Sequence, residues 1–77
     1  MNKQTRNQIG KLIETLDSVK EDLVSIQDSE VDKLDNMPEG LQESERGEAM
    51  QEAIDTLEGA VNSLDDAIDY LNEIVEG

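Results

Sequence analysis

The chain has 77 residues, of which 20 are acidic and 6 are basic, so its formal net charge at pH 7 is -14. It contains no histidine and no cysteine, which excludes disulfides, thiol catalysis, general-base catalysis through histidine and cysteine zinc sites. A chain of this length forms one small domain that buries only about 60% of its unfolded surface. We therefore expect a second copy or a partner protein to complete its core.

Disorder is the first alternative, because a high net charge and a single aromatic residue, Tyr70, are typical of disordered chains. Leucine, isoleucine and valine nevertheless make up 19 of the 77 residues, which lies above the level of about one fifth below which disorder is expected. No apolar run reaches the length of about 18 residues that a membrane span needs, and residues 1–8 do not resemble a signal peptide. We expect a folded, cytoplasmic protein without membrane contact.

The first predicted helix runs from about residue 5 to about residue 35, because its apolar side chains recur at steps of three and four within one arc of roughly 160 degrees. Asn2 or Thr5 can cap its start. Asn36-Met37-Pro38-Glu39-Gly40 marks its end and a turn over about 36 to 44, since proline and glycine interrupt helices. The apolar residues are Ile9, Leu12, Ile13, Leu16, Val19, Leu23, Val24, Ile26, Val31 and Leu34.

The second predicted helix runs from about residue 45 to about residue 76. It contains three copies of a seven-residue unit, the first of which begins at Ala53. Ser44 can cap its start, and Gly47 and Gly59 weaken it by about 1 kcal/mol each relative to alanine. The repeat places isoleucine or valine at position a, leucine at d and small alanine at g, a pattern typical of a coiled-coil seam. The predicted self-association seam consists of Ile54, Leu57, Ala60, Val61, Leu64, Ala67, Ile68 and Leu71.

Together the two helices predict an all-α protein with one domain, residues 1–77, folded as an antiparallel, coiled-coil-like two-helix hairpin. Each apolar stripe is broader than one neighbouring helix covers, so pairing two hairpins into a four-helix bundle would cover the remainder. The alternative is an extended parallel dimer, which β-branched residues at a and leucine at d favour. Against it, the first helix lacks a strict heptad beyond Ile26, with Glu30 at the next a position.

Two sets of acidic residues resemble metal sites, and we expect neither to bind metal. Residues 28–39 place acids at several positions of a calcium loop, but Lys33 stands where that loop needs glycine. The second set loosely resembles the carboxylates of helical nucleotide pyrophosphatases, yet its members project away from the leucine seam and do not converge on a pocket. It consists of Glu45, Glu48, Asp65, Asp66 and Asp69. We predict no metal, no cofactor and no catalytic residue.

Acidic stripes on both helices form the strongest candidate for a binding surface. Like-charged pairs four residues apart, such as Asp28 with Asp32, each lower the stability of the helix by a few tenths of a kcal/mol. An arrangement with this cost indicates that the stripes have a binding role. A rod of carboxylates can imitate nucleic-acid phosphates and occupy a basic groove. Solubility alone is the alternative. The predicted partner-binding residues are Glu14, Asp17, Glu21, Asp28, Asp32, Asp35, Glu48, Glu52, Asp55, Asp66, Asp69 and Glu73.

The residues around the turn carry a resemblance. Asp35-Asn36-Met37-Pro38-Glu39-Gly40-Leu41-Gln42, followed by Ser44-Glu45-Arg46-Gly47-Glu48 and the Ala-Ile-Asp-x-Leu repeats, resembles short, acidic, uncharacterised proteins of Gram-positive bacteria and of their phages and mobile elements. The resemblance covers most of the chain and implies a helical hairpin in a mobile-element setting. Small acidic proteins of such elements include DNA mimics that block restriction or CRISPR effectors, which by analogy favours an anti-defence role.

We therefore expect a non-enzymatic acidic interaction protein that forms a homodimer and binds a basic partner protein, such as a host nucleic-acid-binding or defence protein. Its own charge opposes direct binding to nucleic acid. The alternative function is a structural, self-assembling helical bundle with no charged target. Salt distinguishes the two, because binding through charge weakens with ionic strength and hydrophobic self-association does not.

Overall fold

A computed structural model describes all 77 residues as helices joined by short connections. The helices are α1 (Lys3–Asp35), α2 (Glu39–Gln42) and α3 (Glu45–Glu76). A helix of 33 residues is about 50 Å long, and the whole molecule measures 58 × 14 × 13 Å, so α1 and α3 lie side by side as an extended pair. The predicted all-α class is confirmed. Neither long helix contains a stretch apolar enough to cross a membrane.

Helix α1 begins two residues earlier than predicted, because Asn2 rather than Thr5 is its N-cap. The side-chain oxygen of Asn2 accepts a hydrogen bond of 2.8 Å from the backbone N–H of Thr5, which satisfies one of the free amides of the first turn. The helix ends at Asp35, as predicted, and Lys33 in its last turn interacts favourably with the helix dipole.

The connection contains the single-turn helix α2, which the sequence analysis did not predict. Pro38 precedes it and supplies a backbone φ of -56 degrees, close to the helical value. The side-chain amide of Gln42 donates hydrogen bonds to the carbonyl oxygens of Leu34, at 3.1 Å, and Met37, at 2.9 Å. Leu34 is in the last turn of α1 and Met37 follows that helix, so these two hydrogen bonds hold the connection against the end of α1.

Helix α3 begins at Glu45, and Ser44 is its N-cap, as predicted. The Ser44 hydroxyl oxygen accepts a hydrogen bond of 3.5 Å from the N–H of Gly47. Gly47 is buried, and a Cβ added to it would lie 2.1 Å from the backbone oxygen of Gln42. Helix propensity alone predicts only that this glycine weakens α3, but the close approach of the connection to α3 requires it.

The interface between α1 and α3 follows alternating steps of three and four residues along both helices. Among the apolar side chains of the interface, only Ile13, Ile54 and Ile68 are buried, and they are 9%, 5% and 7% exposed. The half-buried or buried positions of α3 that follow this pattern are Gly47, Met50, Ile54, Leu57, Val61, Leu64, Ile68, Leu71 and Val75. Those of α1 in the same pattern are Arg6, Ile9, Ile13, Leu16, Lys20, Leu23, Gln27, Glu30 and Leu34. We call these two rows the seam.

The apolar arc of α1 is wider than the strip that α3 covers. Leu12, Val19 and Ile26 are spaced seven residues apart and remain 59%, 42% and 50% exposed. Polar residues occupy several seam positions instead, among them Lys20 and Glu30. The rotation of α1 about its axis therefore leaves a row of large apolar side chains beside the interface.

Candidate binding surface

An ion pair between the two long helices locates the acidic stripes relative to each other. The Lys20 ammonium donates a hydrogen bond to the Asp65 carboxylate, and the side chains are 32% and 46% exposed. This hydrogen bond and the charge of Asp65 raise the pKa of Lys20 above its ordinary value, while desolvation lowers it by a smaller amount. The charges of Asp17 on α1 and Asp69 on α3 raise the pKa further.

Acidic residues of both helices therefore surround the same ammonium group. Asp17, Asp65 and Asp69 each follow directly after a seam residue, namely Leu16, Leu64 and Ile68. The next row outward on α1 contains Glu14, Glu21, Asp28 and Asp35 at seven-residue steps. The corresponding row on α3 contains Glu48, Asp55, Asp69 and Glu76. We call the side of the pair that carries these rows, together with Asp17, Glu58 and Asp65, the acidic face.

All twelve predicted partner-binding residues are exposed, and the structure divides them into two groups. Eight belong to the acidic face: Glu14, Asp17, Glu21, Asp28, Asp35, Glu48, Asp55 and Asp69. The other four lie further around the helices, on the outer edges away from the seam: Asp32, Glu52, Asp66 and Glu73. Three further residues of this surface were not among the predicted ones: Glu58, Asp65 and Glu76. Asp65 could have been found from its place beside Leu64 in the heptad repeat.

Few of the carboxylates are neutralised within the chain. Apart from the pair of Lys20 with Asp65, the only ion pair joins Lys33 to Glu30 at 2.9 Å. Of 20 acidic residues, two are thus paired with a basic side chain. Because exposed and unpaired like charges sum to a surface potential of several kT, the acidic face can attract a basic surface. No group of three or more acidic residues is arranged to hold a metal ion.

The structure uses most of the predicted self-association seam within a single chain. Ile54 and Ile68 are buried, and the side chains of Leu57, Val61, Leu64, Ala67 and Leu71 are half-buried. Because α1 is the only long element beside α3, it is α1 that covers them. Ala60 is exposed and lies in a shallow groove on α3 that is lined by Ala49, Glu52, Ala53, Thr56, Leu57 and Ala60.

Comparison of the chain with family models, with curated proteins and with solved structures gives no match.

Proposed function

We propose that the chain is a non-enzymatic binding protein whose acidic face occupies a basic surface of a partner protein, of the kind that otherwise binds nucleic acid. The observation that carries the proposal is the ion pair of Lys20 on α1 with Asp65 on α3, beside which acidic residues of both helices lie. The two acidic stripes thus act together on one side of the molecule. Under this proposal the partner is a cytoplasmic host protein, and the chain serves a phage or another mobile element as a nucleic-acid mimic.

The spacing of the charges supports mimicry of a nucleic-acid strand. A net charge of -14 along 58 Å corresponds to one charge per about 4 Å, close to the spacing of about 3.4 Å in one DNA strand. Pairing of two chains would double the charge per unit length and bring it near the value of about 1.7 Å for the duplex. A basic groove that accepts phosphates would meet a similar field.

We further propose that α1 and α3 form an antiparallel hairpin and that two hairpins associate into a four-helix bundle. Three observations support the hairpin. The molecule is hardly longer than one of its helices. Gln42 holds the connection against the end of α1. The ion pair of Lys20 with Asp65 joins residues 45 positions apart. The bundle is supported by the small core, since only three apolar residues are buried in one chain.

Competition with DNA tests the proposed function. The probe is a basic, sequence-independent DNA-binding protein carrying a fluorescent DNA duplex, and the readout is displacement of the duplex by the chain. Neutralising four residues of the acidic face should weaken displacement about tenfold or more and flatten its salt dependence, because the attraction is electrostatic. The substitutions are Glu14→Gln, Glu21→Gln, Asp55→Asn and Asp69→Asn.

The chain provides a matched control with the same change in net charge. It neutralises the outer edges of the helices through Asp32→Asn, Glu52→Gln, Asp66→Asn and Glu73→Gln. We expect this control to retain most of the displacement. Equal losses in the two variants would show that net charge rather than the acidic face is responsible. If the wild-type chain does not displace the duplex from the probe protein at low salt, the proposal of a nucleic-acid mimic is wrong.

The structural bundle is the second candidate function, and the exposed row of Leu12, Val19 and Ile26 favours it. A bundle without a charged target would self-associate at high salt as strongly as at low salt. It would also leave the DNA duplex bound to the probe protein.

A further inference from the structure

One side of the helix pair is almost free of acidic residues. On each long helix, the residues that directly precede the seam positions form two adjacent rows. On α1 these are Thr5, Gln8, Leu12, Thr15, Val19, Asp22, Ile26, Ser29 and Lys33. On α3 they are Arg46, Ala49, Ala53, Thr56, Ala60, Ser63, Ala67, Tyr70 and Ile74. We call them the neutral face. Asp22 is its only acid, although the chain has 20, and Lys33 and Arg46 are its bases.

In an antiparallel pair, the row that precedes the seam on α1 and the row that precedes it on α3 lie on the same side of the molecule. Reversing the direction of a helix also reverses the sense in which its residues turn about the axis. Residues that follow the seam positions therefore meet on one side, as Asp17, Asp65 and Asp69 do around Lys20. By the same argument, the residues that precede the seam positions meet on the opposite side. The acidic face and the neutral face are thus opposite sides of one molecule.

The neutral face carries exposed apolar side chains on both helices. Besides the row of Leu12, Val19 and Ile26, it includes Tyr70, which is 69% exposed, and Ile74, which is 37% exposed. Large contiguous apolar patches on a soluble surface mark interaction sites. The row on α1 carries large side chains, whereas the row on α3 consists mainly of alanine, serine and threonine beside the shallow groove.

The large and small rows match each other in spacing. Both repeat every seven residues, which corresponds to about 10.5 Å along a helix. Lys20 and Asp65 are at the same level of the pair. Counting in opposite directions from them places Leu12, Val19 and Ile26 within one residue, or about 1.5 Å, of the levels of Ile74, Ala67 and Ala60, respectively. A two-fold axis parallel to the helices would bring the large α1 residues of one copy into contact with the facing α3 residues of its partner. The α1 residues are Leu12, Val19 and Ile26, and the α3 residues that face them are Ile74, Ala67 and Ala60.

We propose that the neutral face is a homodimer interface in which α1 of each copy packs on α3 of the other, in three layers formed by Leu12 with Ile74, Val19 with Ala67 and Ile26 with Ala60. A side of 58 × 14 Å has a projected area of about 800 Å², comparable with the area of about 800 Å² that each partner contributes to a standard interface. The acidic faces then point outward on both sides of the bundle, so the repulsion between two chains of charge -14 is kept low. The inference rests on the proposed bundle and specifies its surface.

Sedimentation equilibrium with charged variants tests the interface. At 0.15 M salt, the wild type should have twice its chain mass of 8.6 kDa. Val19→Glu places a carboxylate in the central layer, and burial of this unpaired charge should raise the dissociation constant about 100-fold or more. Ser18→Glu introduces the same charge at the neighbouring exposed position, outside the neutral face, and should leave the dimer intact. Circular dichroism checks that both variants remain helical.

Cross-linking identifies the face even if Val19→Glu fails to fold alone. Because the chain has no cysteine, an oxidised mixture of Ile26→Cys chains and Ala60→Cys chains should form the mixed dimer. A mixture of Ser25→Cys with Ala60→Cys should not. A monomeric wild type would overturn both the bundle and this interface. A dimer that survives Val19→Glu and fails to cross-link through Ile26→Cys would overturn the interface alone. A monomer whose neutral face binds only a foreign amphipathic helix would also contradict it.

Discussion

The glycine at position 47 provides a sharp test of how the connection packs on α3. In most helices a Gly→Ala substitution is stabilising, because alanine has the higher helix propensity by about 1 kcal/mol. At Gly47, however, the new Cβ would lie 2.1 Å from the oxygen and 2.5 Å from the carbonyl carbon of Gln42, and 2.6 Å from the oxygen of Leu41. These are backbone atoms, so no change of rotamer relieves the overlap.

The expected magnitude follows from the two opposing contributions. Overpacking of a buried site costs about 1–3 kcal/mol, and moving the connection away from α3 would also disturb the hydrogen bonds of Gln42 to the end of α1. Subtracting the gain in propensity of about 1 kcal/mol leaves about 0–2 kcal/mol from overpacking, and the disturbed hydrogen bonds add about 1 kcal/mol. Gly47→Ala should therefore lower the free energy of unfolding by about 1–3 kcal/mol. For a domain of this size that corresponds to a decrease in Tm of roughly 4–24 °C.

Gly59 supplies the control, because it lies in the exposed middle of α3 and an added Cβ meets nothing within 4 Å. Gly59→Ala should therefore raise the free energy of unfolding by about 1 kcal/mol. Thermal denaturation followed by circular dichroism at one fixed chain concentration measures both variants. The same substitution should shift Tm in opposite directions at the two positions. If Gly47→Ala is as stabilising as Gly59→Ala, the connection does not approach α3 as described.

Two further outcomes concern the connection and the ion pair. Gln42→Ala removes two hydrogen bonds at the end of α1 and should cost about 2 kcal/mol in urea denaturation, whereas Gln51→Ala, at an exposed site, should change stability by less than about 0.5 kcal/mol. Because the pKa of Lys20 is raised in the folded state, its pairing with Asp65 contributes stability that is complete below the ordinary lysine pKa of 10.5 and is lost as the pH rises through the folded value. Wild type should accordingly lose more stability than Asp65→Asn above pH 10.5, and parallel pH curves would contradict the pairing.

Sequence patterns predicted the two long helices because apolar periodicity and capping residues are local properties. Ser44 and Asn2 act where a short polar side chain precedes a helical run. The single turn α2 and the close approach at Gly47 depend on how the connection packs on both helices, which no local pattern records. The low helix propensity of Gly47 was therefore predictable, and its close packing against the connection was not.

The division of the surface into faces was only partly predictable. The apolar arc of α1 is wider than one helix can cover, so several rotations of α1 would bury comparable area. The structure places Lys20 and Glu30 in the seam and leaves Leu12 exposed, which a rule based on hydrophobicity would not select. The acidic stripes were found from spacing alone. Their position on one side, and the membership of Asp65, follow only from the relative rotation of the two helices.

The short connection between α1 and α3 has a consequence for the order in which the pair forms. The contact of Gln42 with Leu34 spans eight residues, whereas Lys20 and Asp65 are separated by 45. Closing the shorter loop costs less chain entropy, so the helices should associate first at the connection and then pair progressively toward the chain termini. Amide hydrogens near Arg6 and Val75 should consequently exchange with solvent faster than those near Leu34 and Met50.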